Sequence, residues 1–163
     1  MSMSDTLEVI WCRTFQAVLK IGNYFMGYRM PTYREGPGKI KELAGFLKQK
    51  NINDVLVVTG SGMLRRGQVQ PLLDGFAAAG IRYTVQAFDH PDPSSDDVEL
   101  GYKTYKENGC KAIVALGGGS RIDCAKGIAA KAVHPKKKVS QLQGLLKVHW
   151  PIPPFVEIGR AHV

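Results

Sequence analysis

The stretch AIVALGGGSRIDCAKGIAAKAV, residues 112–133, constrains this chain more than any other. Ala112 to Leu116 form an apolar run of strand length, and Ile122, Ala125, Lys126, Ala129 and Ala130 recur at helical spacing. Gly117, Gly118 and Gly119 therefore stand at a strand-to-helix turn. Residues without Cβ let a backbone approach an anion closely, and the head of the next helix presents unpaired N–H groups and a positive dipole end. The turn reads as a phosphate seat. A capped turn with no ligand is the competing reading, because Ser120 with Asp123 three residues on nearly makes a capping box. The phosphate reading is preferred, since three glycines in a row cost backbone entropy that a simple turn does not require.

The same unit recurs upstream. Val55 to Val58 in DVLVVTGSG read as a buried strand ending in a loop of small residues, Gly60-Ser61-Gly62, which is a second possible phosphate turn. A helix follows with Val69, Leu72, Leu73, Phe76 and Ala77 on one face, closed by Gly80. A strand around Arg82 to Phe88 runs into HPDPSS, where the prolines forbid helix. Ser94 or Ser95 then caps a helix with Asp96 and Asp97 in its first turn and Asn108-Gly109 at its end. Ahead of the first strand come a helix with Ile40, Leu43, Ala44 and Leu47 on one face, a loop rich in Pro and Gly from Met30 to Gly38, and an amphipathic helix from Leu7 to near Gly22.

This β-α-β-α-β-α alternation with short links predicts an α/β fold, a Rossmann-like parallel sheet flanked by helices. Ligands of such sheets bind at the carboxyl ends of the strands. Gly60 to Gly62, Asp92 and Gly117 to Ser120 all fall there, so they are expected to form one site.

At 163 residues with 44% hydrophobic composition, the chain suits one domain rather than two. Its net charge of +8 is dispersed, and no surface combines arginines with interleaved aromatics, so a nucleic-acid partner is not expected. Cys12, Cys110 and Cys124 form no CxxC pair, and His90, His134, His149 and His162 are scattered, so no local metal site is expected. No apolar run reaches membrane-spanning length and the start MSMSDTLEV lacks the pattern of a signal peptide, which predicts a cytoplasmic protein without a membrane partner. The first helix reads as an attachment to something larger, a membrane-surface helix being the minor alternative because its polar face is not strongly basic.

The segment GGGSRIDCAKGIA resembles the GGGSxxDxAKxIA motif of the iron-containing alcohol dehydrogenases, a family related in fold to glycerol dehydrogenase and dehydroquinate synthase. The likeness runs from RTFQAVLKIGNYFMGYR through VVTGSG and HPDPSSDDV to PIPPF, and Ser120 separates it from the glycerol dehydrogenase type, which tends to carry Lys there. The resemblance implies a dehydroquinate synthase-like N-terminal domain that holds NAD or NADP, for an enzyme interconverting alcohols with aldehydes or ketones. It places Gly118, Gly119 and Ser120 on the pyrophosphate and Asp123 close to the nucleotide. It sets Asp92 where the family often has Asn, and a carboxylate there accepts but cannot donate a hydrogen bond.

The family's metal, commonly iron, is held by one Asp and three His in a later helical domain, so the divalent metal is expected only outside this chain. The expected divisions are 1–34 for the lead-in helix, 35–156 for the dinucleotide-binding domain and 157–163 for a non-native tail. EIGRAHV can be encoded as GAG ATC GGA AGA GCA CAC GTC, which contains the start of a common sequencing adapter. A homo-oligomer is expected of the complete enzyme. NADP is favoured over NAD, because the family often has Asp at the position of Gly60, where a carboxylate repels a 2′-phosphate, whereas this chain offers Ser61 and the nearby Arg65 or Arg66. A stand-alone nucleotide-binding regulatory module and a glycerol dehydrogenase-like oxidoreductase are the alternatives.

Overall fold

The computed structural model describes residues 3–25, 32, 39–90, 92–144, 147–148 and 151–159. Contacts divide the chain into two units, Met1–Arg34 and Glu35–Val163. In the first, helix α1 spans Met3–Phe25, three residues beyond the end expected near Gly22. It leaves Val9, Ile10, Trp11, Phe15, Val18 and Ile21 exposed. No helix among the described residues is long and apolar enough to cross a membrane. The loop expected over 30–38 lies, apart from Thr32, outside the described residues.

The second unit opens with a 3-10 turn at Lys39–Lys41 and helix α2 (Glu42–Gln49), followed by β1 (Asp54–Gly60), α3 (Ser61–Arg65), α4 (Gln70–Ala78) and β2 (Arg82–Phe88). Then come α5 (Ser95–Glu107), β3 (Ala112–Gly117), α6 (Gly119–Val133), a 3-10 turn at Val139–Leu142 and β4 (Phe155–Gly159). All neighbouring strands are parallel, in the order β2-β1-β3-β4. The chain leaves β1 toward β2 and then crosses back over it to β3, so the strand order reverses at the β1–β3 pair. In open parallel sheets such a reversal parts the loops at the carboxyl ends and leaves a crevice there.

Register sets which residues share that edge. Val55 lies opposite Ala112 and Thr59 opposite Leu116, so Gly60 and Gly117 finish level with each other. Alternate residues of each strand face opposite ways. Val55, Val57, Val114 and Leu116 meet Leu47, Leu72 and Phe76 of α2 and α4 on one face. Leu56, Val58, Ile113 and Ala115 meet Val98, Cys124, Ala125 and Ile128 of α5 and α6 on the other. A sheet covered on both faces explains why the strands read as unbroken apolar runs. Each of the fully buried Val, Leu, Ile and Phe side chains stabilises the fold by roughly 1.5–3 kcal/mol.

The cap of α5 is Ser94, whose hydroxyl accepts the Asp97 N–H at 3.1 Å while the Asp97 carboxylate accepts the Ser94 N–H at 2.8 Å. Between α5 and α6 the buried Lys131 ammonium is satisfied by Glu99 at 2.8 Å and by the Lys137 carbonyl at 2.5 Å. The boundary expected at residue 157 falls inside β4, whose residues 157–159 continue the ladder with Ala115, Leu116 and Gly117. Glu157 also pairs with Lys126 of α6 at 2.9 Å.

Candidate functional site

The carboxyl edge of β1 and β3 is built differently from the two open loops that the sequence suggests. Gly60 closes β1 in extended conformation, φ −91 and ψ 139, and the chain turns at once into α3. Gly60-Ser61-Gly62 is thus a strand end and a helix start. The physical reason is Met63, an apolar side chain that this short helix carries into the core below the edge.

Gly117 closes β3 with φ 148, a conformation that L side chains rarely adopt, so it is the glycine the turn itself requires. Gly118 is the N-cap of α6, and Gly119 and Ser120 already lie in the first turn. The helix therefore begins ahead of Ser120, and the Ser120–Asp123 capping box of the competing reading does not form. No side chain caps the first N–H groups of α6. The Arg121 N–H turns back to the Gly118 carbonyl at 3.0 Å, and the N–H groups of Gly119 and Ser120 are left for an acceptor from outside the helix. Gly119 is exposed, and a Cβ built on it meets nothing within 4 Å. The structure gives the three glycines three jobs, namely a positive φ, a cap and open space.

One side chain ties the edge together. Arg121 lies across the end of β3, with its Cγ 3.1 Å and its Cβ 3.3 Å from a Cβ built on Gly117. Its Nε stands 3.2 Å from a Cβ built on Gly60, and its Nη2 donates to the carbonyl of His90 in the β2–α5 loop. Gly60, Gly117 and His90 are thereby within reach of a single guanidinium. The Arg121 Nη1 is buried without a hydrogen-bond partner, as is Thr59 Oγ1 beneath Gly60. Buried donors without acceptors are uncommon in folded proteins and ask for an explanation.

The groups expected to favour NADP are engaged elsewhere. The Ser61 hydroxyl donates to the Asp89 carboxylate, and Arg65 Nη1 lies 3.5 Å from the same carboxylate. Ser61 first and then Arg65 hold the Asp89 carboxyl below the usual carboxylate range. Arg66 donates to Gln68 Oε1 at 3.1 and 3.2 Å. Asp92 is exposed in the β2–α5 loop and Asp123 is exposed in α6.

Sequence reasoning missed Arg121, Asp89 and Thr59. Arg121 had a legible signal, because a cation in the first turn of a helix sits at the positive end of its dipole, where acidic residues are the favoured ones. Asp89 and Thr59 had none, since their roles follow from strand register.

Two other side chains are accounted for structurally. Lys126 is paired with Glu157 rather than aimed at the edge. Burial foremost, with the nearby Asp97 charge, pushes the Cys124 thiol up to about 12, so it stays protonated and unreactive at neutral pH. An open cleft lined by Tyr102, Tyr105, Cys110, Ile152 and Pro153 lies at the opposite, amino-terminal end of the strands and shares nothing with this edge.

Among known proteins, a family model described as iron-containing alcohol dehydrogenase matches residues 31–158. The long-chain primary alcohol dehydrogenase AdhA of Thermoanaerobacter ethanolicus is 31% identical over 128 residues, which is 76% of this chain and 31% of that protein. The NAD-dependent methanol dehydrogenase of Bacillus methanolicus is 31% identical over 123 residues, covering 76% of this chain and 32% of its own. The chain thus spans about a third of the length of these curated relatives. A crystal structure of a 1,3-propanediol oxidoreductase superposes with a TM-score of 0.70 at 30% identity over 80% of this chain and 36% of that one. An alcohol dehydrogenase from Oenococcus oeni, at 23% identity and a TM-score of 0.72, shares the fold. With the parallel sheet, the glycine turn at its reversal point and a family match over most of its length, the chain belongs to the iron-containing alcohol dehydrogenases.

Proposed function

We propose that this chain supplies the cofactor grip of an NAD(P)-dependent dehydrogenase that interconverts alcohols with aldehydes or ketones. The observation that carries the reading is the uncapped head of α6 beside the open space at Gly119, on the edge where the strand order reverses. Backbone N–H groups there, beside the open space at Gly119, suit a pyrophosphate, so the residues present fit a dinucleotide. Gly118, Gly119 and Ser120 take the pyrophosphate, while Gly60, Ser61, Gly62, Asp92 and Asp123 border the nucleotide.

A bound nicotinamide dinucleotide supplies the hydride carrier of the reaction. The chain's own part is to bind and orient. The α6 dipole and N–H groups offset phosphate charge, Gly119 lets the backbone come close, and Asp92 and Asp123 offer acceptors to hydroxyl or amide groups. Among the described residues no three His, Cys, Asp or Glu gather as a metal site, so no step is assigned to a metal held here. The iron of the family belongs, in this reading, to a part of the enzyme beyond these residues.

Of the two dinucleotides we favour NADP(H), because Gly60 offers no carboxylate to repel a 2′-phosphate. The free thiols of Cys12, Cys110 and Cys124 support a reducing, cytoplasmic setting. The apolar side chains that α1 leaves exposed support a homo-oligomer for the complete enzyme. The test is titration calorimetry of the chain with NADP+ and NAD+. Saturable one-to-one binding of either is expected, and absence of binding to both at millimolar concentrations would refute the reading.

A further inference from the structure

Arg121 is placed against two local preferences. It is a cation in the first turn of α6, and its Nη1 is withdrawn from water with no acceptor. No carboxylate among the described residues neutralises it. Asp89, next to His90 in sequence, has its carboxylate taken by Ser61 and Arg65. The side chain is not loose, since its stem lies over Gly117 and its Nη2 is held by the His90 carbonyl. A fixed guanidinium with a spare donor is an anion-reading arrangement, and its planar fork suits a phosphate.

Its location selects which phosphate. Neighbouring strands lie about 4.8 Å apart, so a guanidinium above Gly60 stands one strand away from the glycine turn that heads α6. In dinucleotide-binding parallel sheets the pyrophosphate rests on the helix head, and the end of the adjacent strand meets the adenosine ribose. A carboxylate there reads a 2′-hydroxyl, and an arginine there reads a 2′-phosphate. Here the adjacent strand is β1, it ends in a residue without a side chain, and the space next to Gly60 is filled from α6 by Arg121.

We propose that Arg121, reaching over Gly60, is the residue that recognises the 2′-phosphate of NADP(H). The inference rests on the dinucleotide reading and goes past it, since it moves the selection of cofactor from the α3 arginines to a residue inside the glycine turn. Arg65 and Arg66 have partners of their own in Asp89 and Gln68, whereas Arg121 has an Nη1 donor free.

The experiment compares 2′,5′-ADP with 5′-AMP, which differ only in the 2′-phosphate, by calorimetric titration of the chain. The unmodified chain should bind 2′,5′-ADP about tenfold to a hundredfold more tightly, the range for a charge-assisted contact. Arg121→Gln should bring the two ligands within about twofold while leaving the affinity for 5′-AMP little changed, and Arg121→Lys should keep part of the difference. A merely structural Arg121 would weaken both ligands by the same factor, and that result overturns the inference. A preference that survives in Arg121→Gln also overturns it, with the dinucleotide reading left standing. Failure of the unmodified chain to bind either nucleotide overturns both. Should Arg121→Gln not fold, Gly60→Asp sets a carboxylate against the guanidinium from an ordinary backbone conformation and should bring the two ligands within about twofold of each other. A retained preference in that variant refutes the assignment.

Discussion

Gly101 lies where α5 crosses α6, and a methyl group there has no room. A Cβ built on it stands 2.3 Å from Ile128 Cδ1, 2.9 Å from Ile128 Cγ1 and 3.6 Å from Phe88 Cζ. Ile128 is fully buried, so its terminal carbon can withdraw only by displacing other core atoms. Two effects compete in Gly101→Ala. Helix propensity favours alanine by about 1 kcal/mol, while overpacking a tight core costs about 1–3 kcal/mol. The overpacking wins at this distance, and a net loss of about 1 kcal/mol is expected. Two controls isolate the cause. Gly75→Ala in α4 meets nothing within 4 Å and should stabilise by about 0.5–1 kcal/mol through propensity alone. Ile128→Val removes Cδ1 but keeps Cγ1 at 2.9 Å, costs about 1 kcal/mol by itself, and should cost less than that in the Gly101→Ala background. Urea unfolding at constant m-value reads the four variants against the parent. A Gly101→Ala chain more stable than its parent, with effects additive to Ile128→Val, would show that the α5–α6 contact is looser than the structure has it.

Gly119→Val should lower the affinity for NADP+ by at least about tenfold, since a branched side chain fills the space where backbone must meet phosphate, yet shift the melting midpoint little because that space is open. An unchanged affinity would move the phosphate seat elsewhere. With Ellman's reagent at pH 8 the folded chain should show fast reaction at Cys12 alone, because Cys110 and Cys124 are buried and burial raises both thiols, Cys124 to about 12. Three thiols reacting at once would contradict the core. The Arg82 guanidinium, 2.5 Å from Asp54, holds that carboxyl below 3.8. A carboxyl depressed in the folded state contributes stability above its unfolded value and loses it as pH falls through the folded one, so the pair's contribution should fade only below about pH 3.8 and be absent from the pH profile of Asp54→Asn.

The sheet was legible because burial on both faces writes itself into composition. Val55 to Val58 and Ala112 to Leu116 are apolar without alternation, and only a strand covered on both sides calls for that. The start of α5 was legible as a cap at Ser94 or Ser95 for a local reason, and the structure selects Ser94, which Asp97 answers within one turn. The helix start at Ser61 was not, because nothing in Gly60-Ser61-Gly62 favours helix, and only the burial of Met63 draws the chain back.

The site divides along the same line. The glycine turn could be read from one continuous segment, whereas the neighbours of Arg121 come from three. Its stem rests on Gly117 four residues before it, but Gly60 and the His90 carbonyl reach it only through the parallel pairing of β1 with β3 and with β2. Sequence spacing holds no record of that register. What the sequence did hold was a contradiction, a guanidinium at the positive end of a helix. A misplaced charge in an otherwise consistent element is the kind of local conflict that marks a functional group, because the fold offers it no reward of its own. On that argument the conflict at Arg121 is resolved by an anion that the chain does not itself provide. In this assignment the head of α6 and Arg121 serve two neighbouring anion subsites on the same edge, the pyrophosphate at the helix head and the 2′-phosphate over Gly60.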